Sequence, residues 1–76
     1  KRTLDKRALQ VPMLERGLAV LEYLAAREQG ATIAELSAAL GLAGASVFRI
    51  TRALVKLGYL ARHAETKRFT ATRKLL

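Results

Sequence analysis

The sequence predicts a mainly α domain of the α+β kind, with three helices followed by a two-stranded β-hairpin. Three observations predict it. Apolar residues recur at helical spacing in three segments between Pro12 and Leu57, a capping box and several glycines punctuate those segments, and after Gly58 the pattern changes to short alternating runs suited to strands. At 76 residues the chain has room for one small domain, and 51% hydrophobic residues exclude a disordered basic tail.

The elements follow in order. Residues 1–11 show no clear periodicity and read as a basic arm. Pro12 suits the first turn of a helix, where its missing N–H costs nothing. Leu14, Gly17, Leu18, Leu21, Leu24, Ala25 and Glu28 then form a helical stripe, which predicts a first helix over 13–28 ended by Gly30. Thr32 followed by Glu35 three residues later is a capping box, and it starts a second helix through Ile33, Leu36 and Leu40 that stops at Gly41. A third helix is predicted over 44–57, with Val47, Ile50, Leu54 and Leu57 toward the core and Gly58 as its stop. Residues 59–63 and 68–72 alternate and are rich in aromatic or β-branched side chains, with a polar turn at 64–67 between them. Leu60 and Phe69 are expected to point inward. Three helices and such a hairpin make a winged helix over residues 12–72.

The stretch from Ile33 to Arg52 carries the spacing of a helix-turn-helix. With Ile33 as the first position, small Ser37 is fifth, Gly41 ninth and Leu42 tenth. Leu36, Val47 and Ile50 fill the apolar fourth, fifteenth and eighteenth places that lock two crossing helices. On the third helix, Ala45, Arg49, Arg52 and Lys56 cluster opposite the core stripe. A recognition helix enters the major groove by its N-terminal part, so small Gly44 and Ala45 permit close approach. Arg49, one turn on, is the first candidate to read guanine with two hydrogen bonds. Ser46 suits a base edge or a phosphate, whereas Arg52 and Lys56 suit phosphate. Phe48 lies on the flank, and both partial burial and contact with a thymine methyl or sugar are open to it. Arg62, Lys67 and Arg68 lie near the hairpin turn, where a wing meets the DNA backbone or minor groove. Thr32 caps the second helix and is also placed to meet a phosphate.

The charge agrees with a polyanionic partner. The formal net charge is +8, distributed as +3 over residues 1–12, −2 over 13–42 and +7 over 43–76. An enzyme is a poor reading: there is one histidine, His63, no cysteine, no phosphate loop and no evident pair of carboxylates. Neither a metal site nor a cofactor is expected, and catalytic residues are none. No apolar run approaches the roughly 18 residues needed to cross a bilayer. On the first helix, Arg16, Val20, Tyr23 and Arg27 fall away from Leu14, Leu21 and Ala25. The apolar pair Val20 and Tyr23 is therefore a candidate contact with a partner subunit.

Taken together, several runs resemble the IclR family of bacterial transcription regulators. They are Leu14-Glu15-Arg16-Gly17-Leu18-Ala19-Val20-Leu21-Glu22-Tyr23-Leu24, Thr32-Ile33-Ala34-Glu35-Leu36-Ser37 with Leu40-Gly41-Leu42, and Ser46-Val47-Phe48-Arg49. Leu57-Gly58-Tyr59-Leu60 and Thr66-Lys67-Arg68-Phe69 resemble that family's wing. The resemblance implies a cytoplasmic repressor or activator that acts as a dimer or tetramer on palindromic double-stranded DNA operators. It also implies that residues 73–76 begin a linker to a C-terminal domain, absent here, that binds a small-molecule effector. By the same resemblance Arg16 and Thr32 join Ser46 and Arg49 as DNA-positioning residues. Gly44 and Ala45 depart from the polar or hydroxyl residues the family often has there. The expected function is sequence-specific double-stranded DNA binding. The alternative is a winged-helix interaction module that assembles through the first helix and has only non-specific DNA affinity.

Overall fold

A computed structural model describes residues 12–75. The basic arm assigned to residues 1–11 lies outside the described residues. Three helices, α1 (Pro12–Ala25), α2 (Ile33–Leu40) and α3 (Gly44–Leu57), precede strands β1 (Leu60–His63) and β2 (Arg68–Ala71) and a single 3₁₀ turn at Arg73–Leu75. The strands form an antiparallel pair in which Leu60 faces Ala71 and Arg62 faces Phe69. This is the expected winged helix.

Local chemistry accounts for both boundaries of α2 and for the end of α3. The Thr32 hydroxyl accepts the Glu35 N–H at 3.2 Å, and the Glu35 carboxylate accepts the Thr32 N–H at 3.1 Å. Two helix-start donors without an intrahelical partner are thereby satisfied. Gly41 closes α2 in the left-handed region at φ 67°, and Gly58 closes α3 at φ 91°, with its N–H donating to the Leu54 and Val55 carbonyls. Between the helices the chain bends by 117°. Ser37 secures that bend: its hydroxyl donates to the Leu42 carbonyl, and the Leu42 N–H donates back to the Ser37 carbonyl at 3.2 Å. Small size admits residue 37 to the crossing, and its hydroxyl then ties the turn.

The core is formed by Val20, Leu24, Ala31, Leu36, Val47, Ile50, Leu60 and Phe69, with Leu21, Ile33, Leu42 and Leu54 packed around it. Leu60 and Phe69 point inward as expected. Thr51, a polar residue, is buried on α3, and its hydroxyl donates to the Val47 carbonyl at 2.8 Å, so burial leaves no orphaned donor. The inward stripe of α3 is therefore Val47, Ile50, Thr51 and Leu54. Leu57, expected inside, is 58% exposed because the stripe turns away before the last helical turn.

Helix α1 departs from expectation in two respects. It ends at Ala25, not at residue 28. Beyond it, Arg27 donates to the Leu24 carbonyl and Gly30 to the Arg27 carbonyl, each at 3.1 Å. This tighter turn delivers Ala31 to β2, where Ala31 and Phe69 exchange two backbone hydrogen bonds of 3.1 and 2.8 Å. The buried face of α1 is also rotated. Val20 and Leu24 are buried, while Leu14 is 57% exposed and Ala25 lies on the surface. Apolar residues occupy more than a third of the helix circumference, and the core uses one margin of that arc, leaving the other open.

Gly30 sits at φ 71°, and a Cβ there would collide with the Phe69 carbonyl oxygen and approach Thr70 Cγ2 to 2.8 Å. At Gly17, inside α1, a Cβ would meet nothing within 4 Å. We therefore expect opposite effects of the same substitution. Gly30→Ala should cost more than about 2 kcal/mol through strain and collision, whereas Gly17→Ala should stabilise by about 0.5–1 kcal/mol. Urea unfolding of the two variants checks this, and equal midpoints would contradict it.

Candidate nucleic-acid interface

The outer face of α3 carries Gly44, Ala45, Arg49, Arg52 and Lys56, all exposed, with Ser46 half-buried at its edge. The helix starts without a side-chain cap: Ala43 supplies only extended backbone. Its first N–H groups therefore have neither intrahelical nor side-chain partners, and together with the small residues 44 and 45 they leave backbone at the surface. Phe48 is half-exposed. The Arg52 guanidinium lies 5.9 Å from its ring centroid, a stacking that orients the arginine along the helix.

The wing approaches α3 and the start of α2. Phe48, Arg52 and Arg62 line one cleft with Thr51, Val55 and Phe69. Thr32, Arg62 and Lys67 line a neighbouring cleft with Ile33, Ala34 and Thr66. Arg62 thus stands between α3 and the wing turn, and the fold brings four other sequence-predicted residues, Thr32, Phe48, Arg52 and Lys67, together around it. Lys67 takes the left-handed position of the turn at φ 61°, where neither Gly nor Asn is available, and its N–H donates to the His63 carbonyl at 2.7 Å. Arg16 is exposed on α1 and lines neither cleft. The Thr32 hydroxyl is occupied as an acceptor by the cap and keeps its own proton for donation outward.

Two of the sequence-predicted residues are engaged inward. Arg68, expected near the hairpin turn where a wing meets DNA, reaches back toward α2. Its two terminal nitrogens donate to the two Glu35 carboxylate oxygens at 3.1 Å each, and one of them also reaches the Gly30 carbonyl at 3.2 Å. Residue 68 faces across the sheet from the wing turn toward α2, and the capping carboxylate lies within its reach. Val20, expected at a subunit contact, is fully buried, because the core-facing side of α1 is centred near Val20 and Leu24. Tyr23 is half-buried against the core and lies under the Arg27 guanidinium, 3.7 Å from its ring centroid. His63 is exposed and shares a 2.9 Å hydrogen bond with the Thr70 hydroxyl.

Arg68–Glu35 is the salt bridge found among the described residues, so Arg49, Arg52, Lys56, Arg62 and Lys67 face no carboxylate there. The family model of the IclR helix-turn-helix domain matches residues 13–64. The chain belongs to the IclR family. Solved IclR structures share its architecture. An IclR transcriptional regulator from Alicyclobacillus acidocaldarius superposes with a TM-score of 0.78 at 23% identity, over 88% of this chain and 27% of that one. An IclR family transcriptional regulator from Brucella abortus gives a TM-score of 0.82 at 28% identity, over 99% of this chain and 28% of that one. The chain thus spans about a quarter of the length of these regulators. No curated protein sequence matches it. The IclR match rests on a helix-turn-helix domain of regulators and not on an enzyme family. No single described helix is long and apolar enough to cross a membrane.

The Arg68–Glu35 pair was not legible in the sequence, because its partners are 33 residues apart. The capping box marked only Glu35. Both side chains are partly exposed, at 34% and 48%, so the ion pair itself is worth at most about 1 kcal/mol. Arg68→Ala should therefore lower stability by no more than about 1 kcal/mol. Glu35→Ala, which also removes half of the capping box, should cost about 1–2 kcal/mol. Thermal unfolding of the two variants, with Arg68→Ala at least as damaging as Glu35→Ala, would contradict this ranking.

Proposed function

We propose that this domain binds a double-stranded DNA operator sequence-specifically and so serves transcription regulation, with α3 in the major groove and the wing on the backbone or minor groove. The exposed outer face of α3, cationic and free of carboxylate partners among the described residues, is the observation that carries this reading. It lies on the second helix of a helix-turn-helix whose family is that of transcriptional regulators. A helix about 10–12 Å across fits a major groove about 12 Å wide. Gly44 and Ala45 let its first turn approach the bases, and Arg49 follows at the depth where a guanidinium can donate to guanine O6 and N7 together. Arg52, held beside Phe48, and Lys56, on the last turn, meet phosphates. Arg62 and Lys67 reach the backbone beside the wing, and Thr32 donates to a phosphate at the start of α2, where the helix dipole favours the anion. Arg16 takes a further phosphate from α1.

The span of this chain relative to the solved regulators supports the same placement within a larger protein. In that reading residues 73–76 lead into an effector-binding domain, and the full protein is a homo-oligomer on a palindromic site. Two such domains then occupy half-sites about one helical turn apart.

Two substitutions separate base reading from phosphate binding. Arg49→Ala should weaken the selected operator by about 1–3 kcal/mol and relax discrimination at one base position. Lys56→Ala should weaken all duplexes about equally and lower the salt slope by about one. Titration of labelled operator and scrambled duplexes across a salt series measures both. Unchanged discrimination in Arg49→Ala removes the base-reading assignment, and an altered sequence preference in Lys56→Ala removes the phosphate assignment.

A further inference from the structure

Arg68 is set apart from the other cations of the wing and α3. Arg49, Arg52, Lys56, Arg62 and Lys67 face no carboxylate among the described residues, whereas Arg68 is taken up by Glu35. The Glu35 Oε1 accepts the Thr32 N–H and one Arg68 nitrogen, each at 3.1 Å, and its Oε2 accepts the second Arg68 nitrogen at 3.1 Å. Both oxygens are thus occupied by a planar fork that a lysine cannot supply. The nitrogen that reaches Oε1 also donates to the Gly30 carbonyl at 3.2 Å. Three donations commit this guanidinium to the protein's own network.

The position of Glu35 gives that commitment a consequence. Thr32, whose N–H ends on the carboxylate, lines a cleft with Arg62, Thr66 and Lys67. Glu35 is partly exposed and stands one hydrogen bond behind the wall of that cleft. Without Arg68, its negative charge would act on any phosphate drawn to Arg62 and Lys67. Glu65, the acidic residue of the wing turn, lines neither of the clefts that hold Arg62. The capping box does not itself call for a charge at residue 35, since glutamine closes it as well.

We propose that Arg68 supports DNA binding without touching DNA: it holds the Glu35 carboxylate and cancels its charge, so that Arg62 and Lys67 can take phosphates beside it. The inference rests on the DNA-binding reading above and changes the part that Arg68 plays in it. Arg68 is a positioning residue that acts through Glu35. Screening keeps the effect local. At physiological salt the Debye length is about 8 Å, so a carboxylate just behind the cleft acts on a phosphate there, and one on the far side of the domain does not.

Rescue by a second substitution tests this. Arg68→Ala, Arg68→Ala with Glu35→Gln, and Arg68→Ala with Glu22→Gln are titrated against a fluorescently labelled random-sequence duplex pool across a salt series. Thermal unfolding of each variant confirms that it is folded at the temperature of the titration. Backbone contacts are blind to sequence, so the pool suffices. Arg68→Ala should weaken binding about three- to tenfold, the effect of one unit charge near phosphates in a medium between bulk water and a protein surface. Adding Glu35→Gln should restore affinity to within about twofold of the unsubstituted chain, with the same salt slope. Glu22→Gln makes an equal change of charge on α1, where Glu22 lines neither cleft, and should restore nothing. A purely structural role for the ion pair would not give this pattern, because Glu35→Gln rebuilds no contact that Arg68→Ala removes. Full binding by Arg68→Ala overturns the proposal. So does a loss that persists with Glu35→Gln; if the salt slope is then lower by about one, Arg68 is itself a phosphate contact. Rescue by Glu22→Gln reduces the effect to net charge and overturns it too. Absence of salt-dependent binding by the unsubstituted chain overturns the DNA-binding reading and this inference together, whereas the other outcomes leave that reading standing.

Discussion

The wing hangs on one joint, the attachment of β2 to residues 30–35. Ala31 and Phe69 pair through their backbones, Phe69 enters the core, and Arg68 reaches Glu35 and the Gly30 carbonyl. These contacts differ in weight. Burial of a phenylalanine side chain contributes about 1.5–3 kcal/mol, whereas a partly exposed ion pair contributes at most about 1 kcal/mol. Burial therefore holds the wing to the helices, and the ion pair, with its two parallel hydrogen bonds, fixes the angle. Together with buried Leu60 on β1, the joint fixes Arg62 and Lys67 relative to α3. The close passage of residue 30 beneath Phe69 is what makes glycine obligatory there.

Glu35 belongs to two devices at once. It closes the capping box of α2 and it receives the wing. The start of the helix-turn-helix and the orientation of the wing thus share one carboxylate, so the two halves of the cationic surface are set by the same residue. That sharing gives an acidic side chain a structural role beside a face that otherwise gathers cations.

The parts of the fold written in local chemistry were legible from the sequence. α2 starts and stops, and α3 stops, where Thr32, Glu35, Gly41 and Gly58 say they should, because caps and left-handed glycines act within a few residues. The inward placement of Leu60 and Phe69 followed from strand alternation. α1 was harder, because Leu14, Leu18 and Leu21 form as good a stripe as Val20 and Leu24. Only the position of α3 and β2 selects which margin is buried, and that selection moved Val20 from a surface candidate to the core. Thr51 was missed because a hydroxyl that bonds back to its own helix is indistinguishable in sequence from one that meets water. On the candidate site, the outer face of α3 followed from helical period alone. The grouping of Phe48, Arg52 and Arg62, and the diversion of Arg68, depend on contacts between distant segments and were not accessible.

The 3₁₀ turn at Arg73–Leu75 is fastened to the end of α3. The Lys74 ammonium donates to the Leu57 carbonyl at 2.8 Å and lies 5.0 Å from the Tyr59 ring centroid, while the Thr72 hydroxyl donates to the Gly58 carbonyl at 2.7 Å. The end of the described chain is therefore tied to the carboxyl end of α3 by two side-chain hydrogen bonds. A displacement of residues 72–74 would therefore bear directly on the last turn of α3 and on Gly58, the residue that closes it.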